Sequence, residues 1–190
     1  MNYNKEFERI VLENSRAKLL LHCCCAVCAA FCFEKFRGLG AENVRGYFYN
    51  PNIMPMGEYR KRAGEMLKLG FREEGIVICE YVHQEFLEEI KGCENYAEGG
   101  ERCEKCFYLR LKKTAEEAKK MNYDFFATTL TISPHKNSKI INKIGFEIEN
   151  EIGVKYLPSD FKKGDGYKRS LEIAKELILY RQNYCGCKFD

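Results

Sequence analysis

Long apolar runs are missing from this sequence. No stretch approaches the ~18 residues a bilayer span needs, so no membrane partner is expected. Residues 1–18 are charged and amphipathic, without the apolar centre of a secretory signal, which points to a cytoplasmic protein. Neither a Walker phosphate loop nor G-x-G-x-x-G occurs, so ordinary nucleotide-cofactor motifs are excluded. No repeat and no low-complexity segment is visible. Charge of one sign is barely in excess: 31 Lys and Arg against 28 Asp and Glu leave +3. That balance permits a nucleic-acid partner and does not demand one.

Cysteine is abundant, with eleven in 190 residues. In a secreted chain that would suggest a disulfide framework. An odd number, three of them adjacent at Cys23, Cys24 and Cys25, makes poor staples. In a reducing cytosol, clustered cysteines more often mean metal binding or redox work.

Hydrophobic patterning predicts alternating elements. Helices are expected at about 6–17, 26–36 (ended by Gly38 and Gly40), 56–69 (closed by Gly70), 84–90, 106–121, 137–146 and 167–182. Strands are expected at about 18–22, 44–50, 75–82, 123–132 and 154–157. The alternation argues for an α/β fold, a parallel sheet with helices on both faces. The unusual residues follow strand ends, in CCCAVC, FYNPN, TTLTISP and SDFKKGDGYKRS, where such folds keep their sites.

Two C-x-x-C pairs, Cys25–Cys28 and Cys103–Cys106, are a strong metal signal. Whole secondary elements separate them, unlike the compact spacing of a zinc module. With Cys24 and a terminal Cys185-Gly186-Cys187, the clustered thiols exceed what one tetrahedral zinc can use. An iron–sulfur cubane offers four iron corners, each wanting a thiolate, so a redox cluster stands ahead of structural zinc. The C-x-C pair reads as a labile, catalytic dithiol, with a further metal-ligand pair as the alternative. Cys23, Cys32, Cys79 and Cys93 read as small apolar residues, Cys79 within a strand.

At these residues the sequence resembles the cobalamin-independent epoxyqueuosine reductase family. LLHCCCAVC resembles its opening cysteine motif, Phe48–Arg62 its N-P-N-I-x-P-x-x-E-Y-x-x-R, and Arg102–Ala118 its C-x-x-C-F-x-L-R-L-x-x-T-A. DFKKGDGYKRS and LYRQNYCGC resemble its C-terminal motifs. Val27 stands where the family usually has Pro, and Met54 where members often have His, so no acid–base role is expected there.

The resemblance implies a Rossmann-like fold of the PP-loop ATPase or HUP type. It implies one domain over 1–190, whose C-terminal helix and Cys-Gly-Cys tail close over the site. It implies two-electron reduction of epoxyqueuosine to queuosine at the tRNA wobble position, with tRNA and a separate electron donor as partners. By position, Cys24, Cys25, Cys103 and Cys106 would hold a [4Fe–4S] cluster, and Cys185 and Cys187 would be redox-active. Spare thiolates such as Cys28 or the C-x-C pair leave room for a second iron ion. The other function classes are a zinc-stabilised tRNA-binding module and a thiol–disulfide oxidoreductase.

The remaining candidates carry two readings each. His22 could donate a proton, though a lone His at a strand end is more often structural. Asp160 could orient a metal-bound water or read a base, or cap a helix. Arg110 could tune the cluster or make a surface salt bridge. Tyr47, Tyr49, Tyr167 and Tyr184 could stack on an extruded base or be half-buried aromatics. Lys162, Lys163, Lys168 and Arg169, with Arg60, Lys61 and Arg62, are candidate tRNA backbone contacts or a solvated face.

Overall fold

In the computed structural model, residues 2–38, 43–69 and 75–187 are described. The element order is α1 (Tyr3–Glu13), β1 (Leu19–His22), α2 (Ala26–Gly38), β2 (Val44–Phe48), α3 (Met56–Leu67), β3 (Ile76–Ile78) and α4 (His83–Glu89). Then come α5 (Glu101–Lys120), β4 (Phe125–Thr128), a 3-10 turn (Thr129–Ile132), α6 (Ser138–Ile152), β5 (Lys155–Tyr156) and α7 (Gly166–Glu176).

The five strands form one sheet in the order β3-β2-β1-β4-β5, and every pairing is parallel. The expected Rossmann-like α/β arrangement is therefore present. β1 and β4 are buried at every position, as parallel strands covered on both faces must be. Alternation along them feeds two cores. Leu19, Leu21, Phe125 and Ala127 join α1, α2 and α7 on one face. Leu20 and Phe126 join α5 and α6 on the other. Gly145 lets α6 approach β5, because a Cβ there would lie 2.4 Å from the Tyr156 ring.

Strand order reverses at β1, with β2 on one side and β4 on the other. Ligand crevices open beyond the strand ends at such a point. Cys23–Cys25 follow β1 there, and Thr129 follows β4.

Several sequence boundaries shift for identifiable reasons. α1 ends at Glu13 because Asn14 leaves the helical region at φ −130°. α5 begins at Glu101, not at Cys106; Glu101 and Glu104 in its first turn and Lys119 and Lys120 in its last suit the helix dipole. The expected fourth strand breaks after Thr128, whose hydroxyl caps Leu130 N–H and starts the 3-10 turn. α6 runs on to Ile152 and stops at Gly153, which takes φ 84°. β2 and β3 are shorter than expected, and β3 pairs only with β2 at the sheet edge. Cys79 thus lies just beyond its strand, not within it. α7 stops at Glu176, and Ile178 takes φ 51° as the chain reverses toward its tail. Gly38 is the last residue of α2, while Gly40 and Gly70, expected as helix ends, lie outside the described residues.

Candidate metal and redox site

The end of β1 is locked before any thiol is presented. His22 is fully buried, with Nε2 3.1 Å from the Tyr49 carbonyl and Nδ1 2.9 Å from Thr128 Oγ1. Nε2–H must donate to the carbonyl, so Nδ1 is the acceptor. Burial, with the Arg110 charge second, pushes its pKa down to about 3. His22 is thus a neutral brace across β1, β2 and β4 and has no proton to give at neutral pH.

Cys23 packs into the core, its N–H donating to the Tyr47 carbonyl at 2.9 Å. Cys24 turns the other way. Its N–H donates to Thr129 Oγ1 at 3.1 Å, and that hydroxyl donates to Cys24 Sγ at 3.2 Å. Cys25 immediately precedes α2 and Cys28 sits in its first turn. The sulfurs of Cys24, Cys25 and Cys28 all lie within 4.8 Å of one another. Three soft donors this close suit a thiophilic metal. Hydrogen bonds from Cys25 and Cys28 hold the Cys24 thiol well below its usual range, with the Lys136 charge assisting.

α5 forms the facing wall. Cys103 and Cys106, three apart on one helical face, are both buried. Gly99 N–H donates to Cys103 Sγ at 3.2 Å. Burial pushes Cys106 up to about 11, with Arg110 working against it.

A cleft of about 410 Å³ holds Cys24, Cys25, Cys28 and Cys185 in its lining. An adjoining cavity of about 70 Å³ is lined by Cys103, Cys106, Cys185 and Cys187. Cys185, Glu98, Arg110, His135 and Lys136 line both, so the two are parts of one chamber. All the thiols expected to carry chemistry converge there.

Two cations, Arg110 and Lys136, line both parts of it. Arg110 is only 2% exposed; Nε donates to the Cys106 carbonyl at 3.1 Å and Nη1 lies 3.4 Å from Asn50 Oδ1. The surface salt bridge expected of Arg110 is therefore corrected: its helix turns it inward, one turn beyond Cys106. Arg110 Nη2 and Asn52 Oδ1 are buried without a partner, and both residues line the large cleft. Asn50, which steadies Arg110, is itself held by donating to the Cys23 carbonyl at 2.9 Å. Lys136, half-buried, is the second cation. A hydrogen bond from Cys187, with Lys136 and Arg110 assisting against burial, lowers Cys185 to about 5, while Cys187 is raised.

Other candidates lie elsewhere. Asp160 lines neither part of the chamber; its carboxylate faces Lys162 at 3.3 Å and Lys163 at 3.0 Å. Nor does it cap α7, whose N-cap is Asp165. Arg169 is surrounded by Glu34, Glu172 and Glu176, and Lys168 is exposed. Arg60 and Lys61 are exposed, but Arg62 is buried against Glu58 and lines the large cleft. Tyr167 and Tyr184 line the chamber. Tyr47 and Tyr49 are buried and open on a separate cleft, where Tyr49 donates to Glu85. Lys136, Thr129 and Asn50 escaped the sequence reading; the hydroxyl-rich TTLTISP and the FYNPN loop were the signal that pointed near them.

No helix among the described residues is long and apolar enough to cross a membrane. The family described as epoxyqueuosine reductase QueH matches residues 19–190. The epoxyqueuosine reductase QueH of Streptococcus pyogenes serotype M1 is 39% identical over 200 residues, covering 100% of this chain and 78% of that protein. That of Staphylococcus epidermidis is 38% identical over 202 residues, covering 100% of this chain and 84% of its own. That of Thermotoga maritima is 38% identical over 175 residues, covering 90% and 88%. Matches of this extent, over the segments that bring the thiols together, place the chain in the epoxyqueuosine reductase QueH family of oxidoreductases.

Proposed function

We propose that this chain, in the cytoplasm, reduces epoxyqueuosine at the wobble position of tRNA to queuosine. The observation that carries the reading is the convergence of Cys24, Cys25, Cys28, Cys103, Cys106, Cys185 and Cys187 on two adjoining parts of one chamber, with Arg110 and Lys136 lining both. The reaction consumes an epoxide, two electrons and two protons, and yields an alkene and water. The donor set fits the group the family implies: three soft thiols within 4.8 Å of one another, in a cleft whose lining also holds Arg110 with its unpartnered Nη2. A [4Fe–4S] cluster on Cys24, Cys25, Cys103 and Cys106 would supply electrons singly, and a second iron on Cys28 or the tail pair would supply Lewis acidity at the epoxide oxygen.

The protein's own groups do the rest. The Cys185 thiolate and the Cys187 thiol pass to a disulfide; one S–S bond forms, and two electrons and the Cys187 proton leave the pair. Those electrons break the epoxide C–O bonds, and the oxygen leaves as water with that proton and one from solvent. A separate low-potential electron donor reduces the disulfide between turnovers. Arg110 and Lys136 stabilise negative charge as it builds on the oxygen. Tyr167 and Tyr184 stack on the extruded base. A cleft of about 410 Å³ is of the size that holds one modified base. Asp160 acts outside the chamber, as the counter-charge of Lys162 and Lys163. The tRNA backbone is met by Arg181 on the chamber lining and by exposed Lys168, more than by the neutralised Arg169.

Anaerobic protein should contain iron and sulfide and convert epoxyqueuosine in tRNA under a low-potential reductant. Colourless, zinc-loaded protein that binds tRNA without turnover would replace this reading with a binding module. Turnover in metal-stripped protein would replace it with a simple thiol–disulfide oxidoreductase.

A further inference from the structure

The tail reaches the chamber along α3, not along the sheet. Beyond α7, Leu179 N–H donates back to the Ala174 carbonyl at 2.8 Å. Tyr180 N–H then donates to Glu65 Oε2 at 2.8 Å, and its hydroxyl lies 3.2 Å from both carboxylate oxygens of Glu58. Lys61 Nζ stands 3.4 Å from the centre of the Tyr180 ring.

The last contacts come from Arg62, which is 3% exposed. Its Nε donates to Glu58 Oε1 at 2.6 Å. Nη1 donates to the Cys185 carbonyl at 3.0 Å and Nη2 to the Tyr184 carbonyl at 3.5 Å. The Tyr184 ring centre is 5.0 Å from the guanidinium carbon. Gly186 takes φ 105°, and a Cβ there would lie 3.2 Å from Arg62 Nη2. The Gly186 carbonyl accepts from Met54 N–H at 2.8 Å. Within the C-x-C segment, one guanidinium and one backbone amide therefore hold the two successive carbonyls of Cys185 and Gly186.

We propose that Arg62, oriented by Glu58, is the positioning residue that places the Cys185 thiol in the chamber. It acts through the tail carbonyls that its guanidinium holds, from the lining of the large cleft. Arginine is required by geometry. A planar fork serves a carboxylate with one edge and two carbonyls with its remaining donors, whereas lysine offers one charged point. Gly186 is required beside it, because a side chain would press on the guanidinium in a backbone region that L residues rarely adopt. The inference rests on the proposed redox role only for its consequence in turnover; the placement is tested without turnover.

The test is alkylation of anaerobically purified holoprotein by iodoacetamide at pH 9, read cysteine by cysteine by peptide mass spectrometry. At that pH an ordinary thiol, near 8.5, is also largely ionised, so the rate reports access. In Arg62→Lys and in Gly186→Ala, Cys185 should react at least about tenfold faster, the weight of one or two lost hydrogen bonds. Cys32 and Cys106 should react as in wild type, and the melting temperature should stay close to it. A Cys185 rate unchanged in either folded variant overturns the proposal. So does a uniform rise at all cysteines, which would make Arg62 a general stabiliser. If Arg62→Lys does not fold, Gly186→Ala decides alone. Full turnover by Cys185→Ser would remove the redox reading and leave the labelling result to judge the tether by itself.

Discussion

Two sets of thiols face one chamber and are held in opposite ways. Cys24, Cys25 and Cys28 leave the central strand through backbone bonds and a helix start: Cys23 N–H to Tyr47, Cys24 N–H to Thr129, Ala29 N–H to the Cys25 carbonyl. Cys185 and Cys187 lie in a segment without regular structure, held by Arg62 and Met54. Segments held in this way open locally at a fraction of the global unfolding free energy. A cluster needs fixed donors, while a dithiol that is oxidised and re-reduced needs access to a second partner. The division of restraint thus mirrors the proposed division of labour.

Cys103 and Cys106, buried on α5, belong with the fixed donors, and removing them should have the largest effect. Cys103→Ser combined with Cys106→Ser should abolish iron and sulfide content, the visible charge-transfer band and turnover together. Wild-type iron and sulfide would erase the distinction between the two sets.

Removing a tail thiol should separate those readouts. Cys185→Ser or Cys187→Ser should retain the band and lose conversion of epoxyqueuosine. A lost band would make the tail a cluster ligand, and full conversion would make it a bystander.

A third measurement sharpens the electrostatics of the tail. In metal-stripped protein, labelling of Cys185 should stay fast down to about pH 5, where its thiolate takes up a proton. The sign follows from a lowered folded-state pKa. Thiolate stabilisation is fully present above the unfolded value near 8.5 and is lost as pH falls through 5. Lys136→Met should move the inflection upward; an unmoved inflection would show that this cation does not act on the tail.

Within the fixed half, Gly145→Ala should force α6 off Tyr156 and cost about 1–3 kcal/mol, lowering the melting temperature by several degrees. Iron content of the folded protein should be unchanged, since the clash is remote from the thiols. Loss of iron would mean the sheet edge and the site are coupled.

The smallest expected effect concerns tRNA. Arg181→Ala should reduce the salt slope of binding by about one unit, while Arg169→Ala, already matched by three carboxylates, should leave it nearly unchanged. The reverse result would move the tRNA surface from the chamber rim to the face of α7.

Strand–helix alternation, the parallel sheet and the clustering of thiols were legible in the sequence, because local patterning carries them. Apolar runs such as Leu19–Leu21 announce buried strands, and C-x-x-C spacing announces itself. Even so, the helix around Cys103 was misjudged, since the chemistry of RCEKC hid a helical first turn. What only tertiary structure decided was the company each long side chain keeps. Arg110 became a buried cation instead of a surface ion, and Arg169 a neutralised one. Arg62 left the expected RNA face to hold carbonyls 122 and 123 positions away in the chain. Propensity and periodicity act over a few residues, whereas burial and charge partners are set by elements that meet only when the sheet is assembled.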